Sequence, residues 1–260
     1  MKTMKRTILL FTSLIAATSL SAATVSWDNG AVNNPRWENS PTGPDNWDTD
    51  TNPVSGVDSV VLNIGGNVFM RESFVIASGQ SLTNSNMTLR TDAPSTTLTV
   101  QSGGTLDFTG GELTNQRSDG GRLILEAGST ATGTRYYSQN SGTTEFVANA
   151  VGVTTLELAE IRLDGGILEV DLTNYDIASG TTLALFDYNV MNGSATGSGI
   201  FNTITLTGGL TGTIDYAFDQ GGGDLAIALT NIAVVPEPSS YALLLGGLVL
   251  GASVLRRRRA

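Results

Sequence analysis

Apolar residues recur at every second position in short runs along most of this chain. The runs are Leu98/Val100, Leu123/Leu125, Leu156/Leu158, Ile161/Leu163, Leu168/Val170/Leu172, Leu183/Leu185, Ile204/Leu206 and Leu225/Ile227/Leu229. Successive side chains of a strand point to opposite faces, so this period prescribes half-buried β-strands rather than amphipathic helices. Thr, Val and Ile dominate the runs, and Gly, Asn, Asp and Ser separate them. No window outside the two termini has a helical period. Strands recur about every eight to twelve residues, which fits a sandwich, a barrel or a β-solenoid.

A short internal repeat bears on that choice. A small residue, Gly, any residue, then Ser or Thr occurs at Ser78-Gly79-Gln80-Ser81, Ser102-Gly103-Gly104-Thr105, Ala127-Gly128-Ser129-Thr130, Ser141-Gly142-Thr143-Thr144 and Ser179-Gly180-Thr181-Thr182. The glycines are 24, 25, 14 and 38 residues apart. Two near-equal steps of about one β-helical coil suggest stacked rungs, each turning at a Gly that tolerates positive φ. The later spacings break the register, and ordinary hairpin turns remain the alternative.

Trp47-Asp48 with Pro53, then Val57-Asp58-Ser59-Val60-Val61-Leu62, then Leu98 to Leu106 resembles bacterial surface proteins with autotransporter-associated β-strand repeats. The resemblance covers residues 24–150 and implies a parallel β-helix. The fold expected is therefore all-β: a parallel β-helix or solenoid-like body over 56–160, behind a Trp-rich N-terminal cap over 24–55. A C-terminal β-sandwich-like layer is expected over 161–232, where the runs lengthen. Capping matters because an open solenoid end exposes pairing edges.

Both termini read as addresses rather than as parts of the body. Lys2, Lys5 and Arg6 precede an apolar core from Ile8 to Ala17, and Ser21-Ala22-Ala23 supplies small residues for cleavage after Ala23. Residues 1–23 are thus an expected signal peptide. At the other end, over 233–260, Val235-Pro236-Glu237-Pro238 precedes an apolar stretch from Tyr241 to Leu255, then Arg256, Arg257, Arg258 and Arg259. Fixed positive charge stays on the cytoplasmic side of a membrane, so the arginines form a membrane stop, and the body lies across the membrane from them. As helix, 241–255 would rise about 22 Å, short of the ~30 Å hydrocarbon layer, as a transient handle could tolerate.

This tail resembles the PEP-CTERM sorting signal of Gram-negative bacteria that make exopolysaccharide. The resemblance implies that a membrane-embedded processing protease, the exosortase, recognises Pro236, Glu237 and Pro238. It also implies membrane association through the tail, and a destination in the cell envelope, on the cell surface or in the extracellular matrix. A plain single-span anchor is the alternative.

Between the two signals, residues 24–235 hold seven arginines against twenty-three acidic residues, a formal charge of −16, with no Lys, His or Cys. That charge opposes nucleic acid and anionic lipid as partners. The missing residue types exclude Ser-His-Asp and Cys-His catalysis, His- or Cys-ligated metals and Schiff-base lysines. Disulfides are excluded as well, so stability must come from the core. Carboxylate chemistry, aromatic stacking and oxygen-ligated cations survive.

Three groups of residues could act. Trp27, Trp37 and Trp47 lie ten residues apart among Asn, Asp and Pro, as a glycan-binding platform requires. Large rings would equally cover the first rung, and the usual burial of Trp favours that reading. Asp45, Asp48, Asp50 and Asn52 echo the start of a Ca²⁺ loop, but Pro53 and Ser59 stand where Gly and a bidentate Glu belong. Solvated turn carboxylates are favoured over Ca²⁺, and no other cofactor is expected. Glu169 and Asp171 share a strand face, with Glu157 and Glu160 upstream, but alternation with Leu168, Val170 and Leu172 makes them the wet side of a strand. The reading is a non-enzymatic structural protein of the surface or matrix. A carbohydrate-binding adhesin is the alternative, with exopolysaccharide as its partner, and a polysaccharide-active enzyme ranks below both.

Overall fold

Alternating strands must bury one face, and here the apolar faces turn into one shared core while the strand edges pair with the equivalent strands of neighbouring coils. The computed structural model describes residues 23–28, 37, 46–48, 52–91, 96–117, 121–191, 199–221 and 224–235. The described fold begins with β1 (Thr24–Ser26), then winds as a parallel β-solenoid with three strand positions per coil. The first coil holds β2 (Ser59–Leu62), β3 (Gly66–Met70) and β4 (Phe74–Ile76); the second holds β5 (Ser81–Asn84), β6 (Met87–Thr91) and β7 (Thr97–Val100). In the third, β8 (Thr105–Arg117) runs through two positions before β9 (Arg122–Glu126). The fourth and fifth are single long strands, β10 (Thr130–Val147) and β11 (Leu156–Asp171), each crossing all three. In the last coil, β12 (Leu183–Met191) and β13 (Thr203–Thr207) still pair parallel to β11.

The register stacks like on like. Val25, Val60, Leu82, Leu106, Ala131, Leu156 and Phe186 are successive partners on the first sheet. Val68, Leu89, Leu113, Tyr136, Ile161 and Met191 align on the second. Ile76, Val100, Leu125, Phe146, Val170 and Leu206 align on the third. All but Met191 and Leu206, both on last-coil strands, are buried in one continuous core. Each coil adds a full set of hydrogen bonds and a layer of apolar side chains, which is how a solenoid gains stability.

The repeat glycines make the turns that set this register. Gln80, Gly104 and Ser129 donate their N–H to the carbonyls of Ala77, Gln101 and Glu126 at 3.0, 2.8 and 3.0 Å. The third residue of each turn is Gly79, Gly103 or Gly128, at φ of +79°, +79° and +88°. A side chain there would be strained, so Gly recurs once per coil. Gly79 and Gly103 donate to the carbonyls of Gly103 and Gly128, both at 2.9 Å, so the turns themselves are stacked. Ser141 and Gly142 instead fall inside β10, at a register break between Asn140 and Thr143. Gly180 follows a short 3-10 helix, Ile177–Ser179, in a long excursion before the last coil.

Residue 161, where the sequence reading begins a separate C-terminal layer, lies within β11, and parallel pairing continues through β13. The antiparallel part is a hairpin of β14 (Leu210–Gly221) and β15 (Asp224–Val234), with β15 laid on β12. Among the described residues no helix is long and apolar enough to cross a membrane. Residues 1–22 of the expected signal peptide (1–23) and the tail segment from Pro236 onward, with its expected helix over 241–255, lie outside the described residues.

Candidate functional site

The three tryptophans meet over the first coil. Trp27 and Trp47 pack edge to face at 5.1 Å between centroids, and Trp37 packs on Trp47 at 5.0 Å and on Phe74 at 5.1 Å. Each is at most 2% exposed. Backbone hydrogen bonds hold them there: Trp27 N–H donates to the Val61 carbonyl at 2.8 Å and Trp37 N–H to that of Phe69 at 2.9 Å. The indole N–H of Trp47 donates to the carbonyl of Trp37 at 2.9 Å. The first-coil edge of the third sheet is also occupied, since Val75 N–H donates to Ser55 Oγ at 2.8 Å. Little indole surface is left for a sugar ring, as the favoured reading of the three rings as a cover over the first rung expects. Apolar ring area and a satisfiable N–H drive all three inward.

Asp48 serves the same region. Its carboxylate accepts the backbone N–H of Ser26 at 3.0 Å, and its own N–H donates to the Ser26 carbonyl at 3.0 Å. Asp45 and Asp50, its partners in the disfavoured Ca²⁺ alternative, lie outside the described residues. Among the described residues no group of three or more His, Cys, Asp or Glu is placed to hold a metal ion.

Glu160, Glu169 and Asp171 of β11 are engaged along the wall. Glu169 pairs with Arg122, which also holds Glu145 at 2.8 Å. Glu145 and Glu169 are register partners on adjacent coils, so one guanidinium bridges three coils. Burial opposes the charge on Arg122, but the two carboxylates outweigh it and hold its pKa above the ordinary value. On the second sheet, Arg135 lies between Glu160 at 2.8 Å and Glu112 at 3.5 Å, and Arg162 reaches Glu160 at 3.1 Å. Pairs this exposed contribute about 0.2–1 kcal/mol each; their main effect is to stop like charges from stacking unpaired up the wall.

Asp171 accepts from the Thr173 hydroxyl at 2.6 Å, the Thr173 N–H at 2.9 Å and the Thr207 hydroxyl at 2.9 Å. These bonds, the Thr173 hydroxyl first, hold its carboxyl below the ordinary range. A general acid needs the opposite shift. Glu157 instead lines an open groove of about 480 Å³ with Asp187, Asn189 and Asp224. A second groove of about 480 Å³ crosses the corner between the first and second sheets, past Gly66, Asn86, Gly110, Gly111, Glu112 and Arg135. Sequence reasoning missed Arg122 and Arg135 because they lie 23 to 47 residues from their carboxylates.

The PEP-CTERM protein-sorting motif matches residues 234–259. The motif marks the chain as an exported protein sorted by exosortase, a membrane protease. Its first two residues, Val234 and Val235, end the described fold, at the last strand of the hairpin. No curated protein and no solved structure gives a significant match to the chain.

Proposed function

We propose that the protein is a non-enzymatic structural component of the cell envelope or extracellular matrix, displayed as a stiff acidic rod. The observation that carries this reading is the unbroken core: equivalent positions stack from Val25 to Phe186 with no change of partner strand type. Nine strands lie in line along the first sheet, which at ~4.8 Å per step gives a body about 38 Å long. Every strand between the ends is hydrogen-bonded on both sides, so the rod has no hinge along its axis. A charge of −16 between the two terminal signals keeps such rods apart in water and lets divalent cations bridge them to each other or to acidic polysaccharide. In this reading no cofactor is required and no nucleic acid is bound. Pro236, Glu237 and Pro238 are the residues the protease reads, and Arg256 to Arg259 hold the tail in place until it does so.

The engagement of Glu169 and Asp171 in wall contacts favours structure over catalysis. The test is incubation of the purified exported protein with the exopolysaccharide of its own cell, alongside rheology of matrix from a strain lacking the protein. No released oligosaccharide and a softer matrix are expected. Release of oligosaccharide that disappears in a Glu169→Gln variant would overturn the proposal.

A further inference from the structure

The two ends of the solenoid are closed to very different degrees. At the N-terminal end three tryptophans seal the core, each at most 2% exposed. At the other end the third sheet stops at β13. Ile204 continues the core-facing stack of Phe74, Leu98, Leu123, Thr144 and Leu168, yet it is 42% exposed, whereas Leu168 beneath it is fully buried. Among the described residues no further coil lies on it. Leu206, on the same strand, and Leu210, Ile214 and Tyr216, on β14, pack against the core and are only partly buried. Ile200, just ahead of β13, is 44% exposed. A core-facing stack left open at its end is an apolar surface of the kind that is covered in use.

The course of the chain says what covers it. Val235 N–H donates to the carbonyl of Gly209 at 3.0 Å, so the polypeptide leaves the body beside the turn that joins β13 to β14. Val234 and Val235 are themselves exposed. From Val235 the chain reaches Tyr241 in six residues, at most about 20 Å. A tail inserted from Tyr241 onward therefore keeps the unsealed end within about 20 Å of the bilayer, with the tryptophan-sealed end further out.

We infer that the C-terminal end of the solenoid, around Ile204, Leu206 and Ile214, is a lipid-docking surface that rests on the bilayer while the tail is attached. The inference rests on the reading that the tail enters the membrane. The surface fits zwitterionic headgroups, because the carboxylates of Asp215 and Asp219, on the exposed side of β14, repel an anionic leaflet. The patch is small, so its contact depends on the high local concentration that the tail imposes. Removal of the tail then releases the rod, and the docked state belongs to the unprocessed form.

The chain contains no cysteine, so single labelling sites can be introduced without background. Full-length protein with its tail intact is reconstituted in phosphatidylcholine nanodiscs and labelled with a fluorophore at Ile204→Cys, Ile200→Cys, Thr24→Cys or Leu248→Cys. Nitroxide lipids carrying the spin label near the headgroup or deep in the acyl chain act as quenchers. Headgroup-level quenching at residues 204 and 200 at least twofold above that at residue 24 is expected, with deep quenching at 248. Deep quenching at 248 with residues 204 and 200 no different from residue 24 overturns docking and leaves the membrane tail standing. No quenching at 248 removes the tail reading and this inference with it. Disulfide cross-linking between copies at residue 204, with protection from the quenchers, shows that a second copy covers the end and also overturns it.

Discussion

Replacing Trp47 with alanine is expected to destabilise the protein by about 3–5 kcal/mol, among the largest effects of any single substitution in the body. Trp47 is fully buried and is the ring on which both Trp27 and Trp37 pack edge to face. Its removal deletes the centre of the cluster, opens a cavity and leaves the Trp37 carbonyl without its indole donor. Edge-to-face pairs add about 0.5–1.5 kcal/mol each to the area term. The loss is local in origin but propagates, because β1 and the tryptophans cover the free edge of the first coil. An uncovered solenoid edge recruits other chains, so the variant should also aggregate at concentrations the parent tolerates. Urea unfolding followed by tryptophan fluorescence, with light scattering in parallel, measures both consequences. Trp47→Phe keeps a ring and loses the N–H, and should fall between the two. A Trp47→Ala protein with an unchanged midpoint would show that the cluster does not hold the N-terminal end.

The second large effect is expected at Gly133. It is the register partner of Phe108 on one side and of Leu158 on the other, in a core-facing stack of the first sheet. A Cβ built at Gly133 would lie 1.9 Å from the Phe108 ring, inside any allowed contact. Phe108 is itself buried, at 1% exposed. Gly133 is thus absent side chain by necessity: the phenylalanine of one coil occupies the place of the next. Gly133→Ala should cost about 1–3 kcal/mol by overpacking, although alanine is ordinarily the better strand residue. Phe108→Ala alone should cost about 3–5 kcal/mol by cavity formation. In the double variant the new methyl enters the space left by the ring, so the combined cost should be below the sum by about 0.5–3 kcal/mol. Strict additivity in denaturant titrations of the four proteins would contradict this packing.

The turn glycines show how far the fold could be read from sequence. Gly79, Gly103 and Gly128 occur at one coil's spacing because each closes the same stacked turn, so period and function coincide there. The signal failed at Ser141-Gly142 because β10 runs through its corners as one continuous strand. It failed again at Gly180 because the chain makes a 3-10 detour before rejoining the ladder. The antiparallel hairpin was legible as alternation but not as direction, since a period of two is the same in either sense. The tryptophans were ambiguous in sequence because polar neighbours suit an exposed platform and a covered end alike. Only the hydrogen bonds to Val61 and Phe69 decide between them. Arg122 and Arg135 carried no local signal, as their carboxylates become neighbours only after a full coil. The sorting motif was readable outright, because its meaning lies in the order of its parts and not in a fold.

The most direct measurement is the intact mass of the protein recovered from the surface of its own cell. A sorted and processed chain predicts a product that begins after the export signal and ends near Pro238, without Arg256 to Arg259. A surface form still carrying those arginines would contradict exosortase processing and return the tail to a plain anchor.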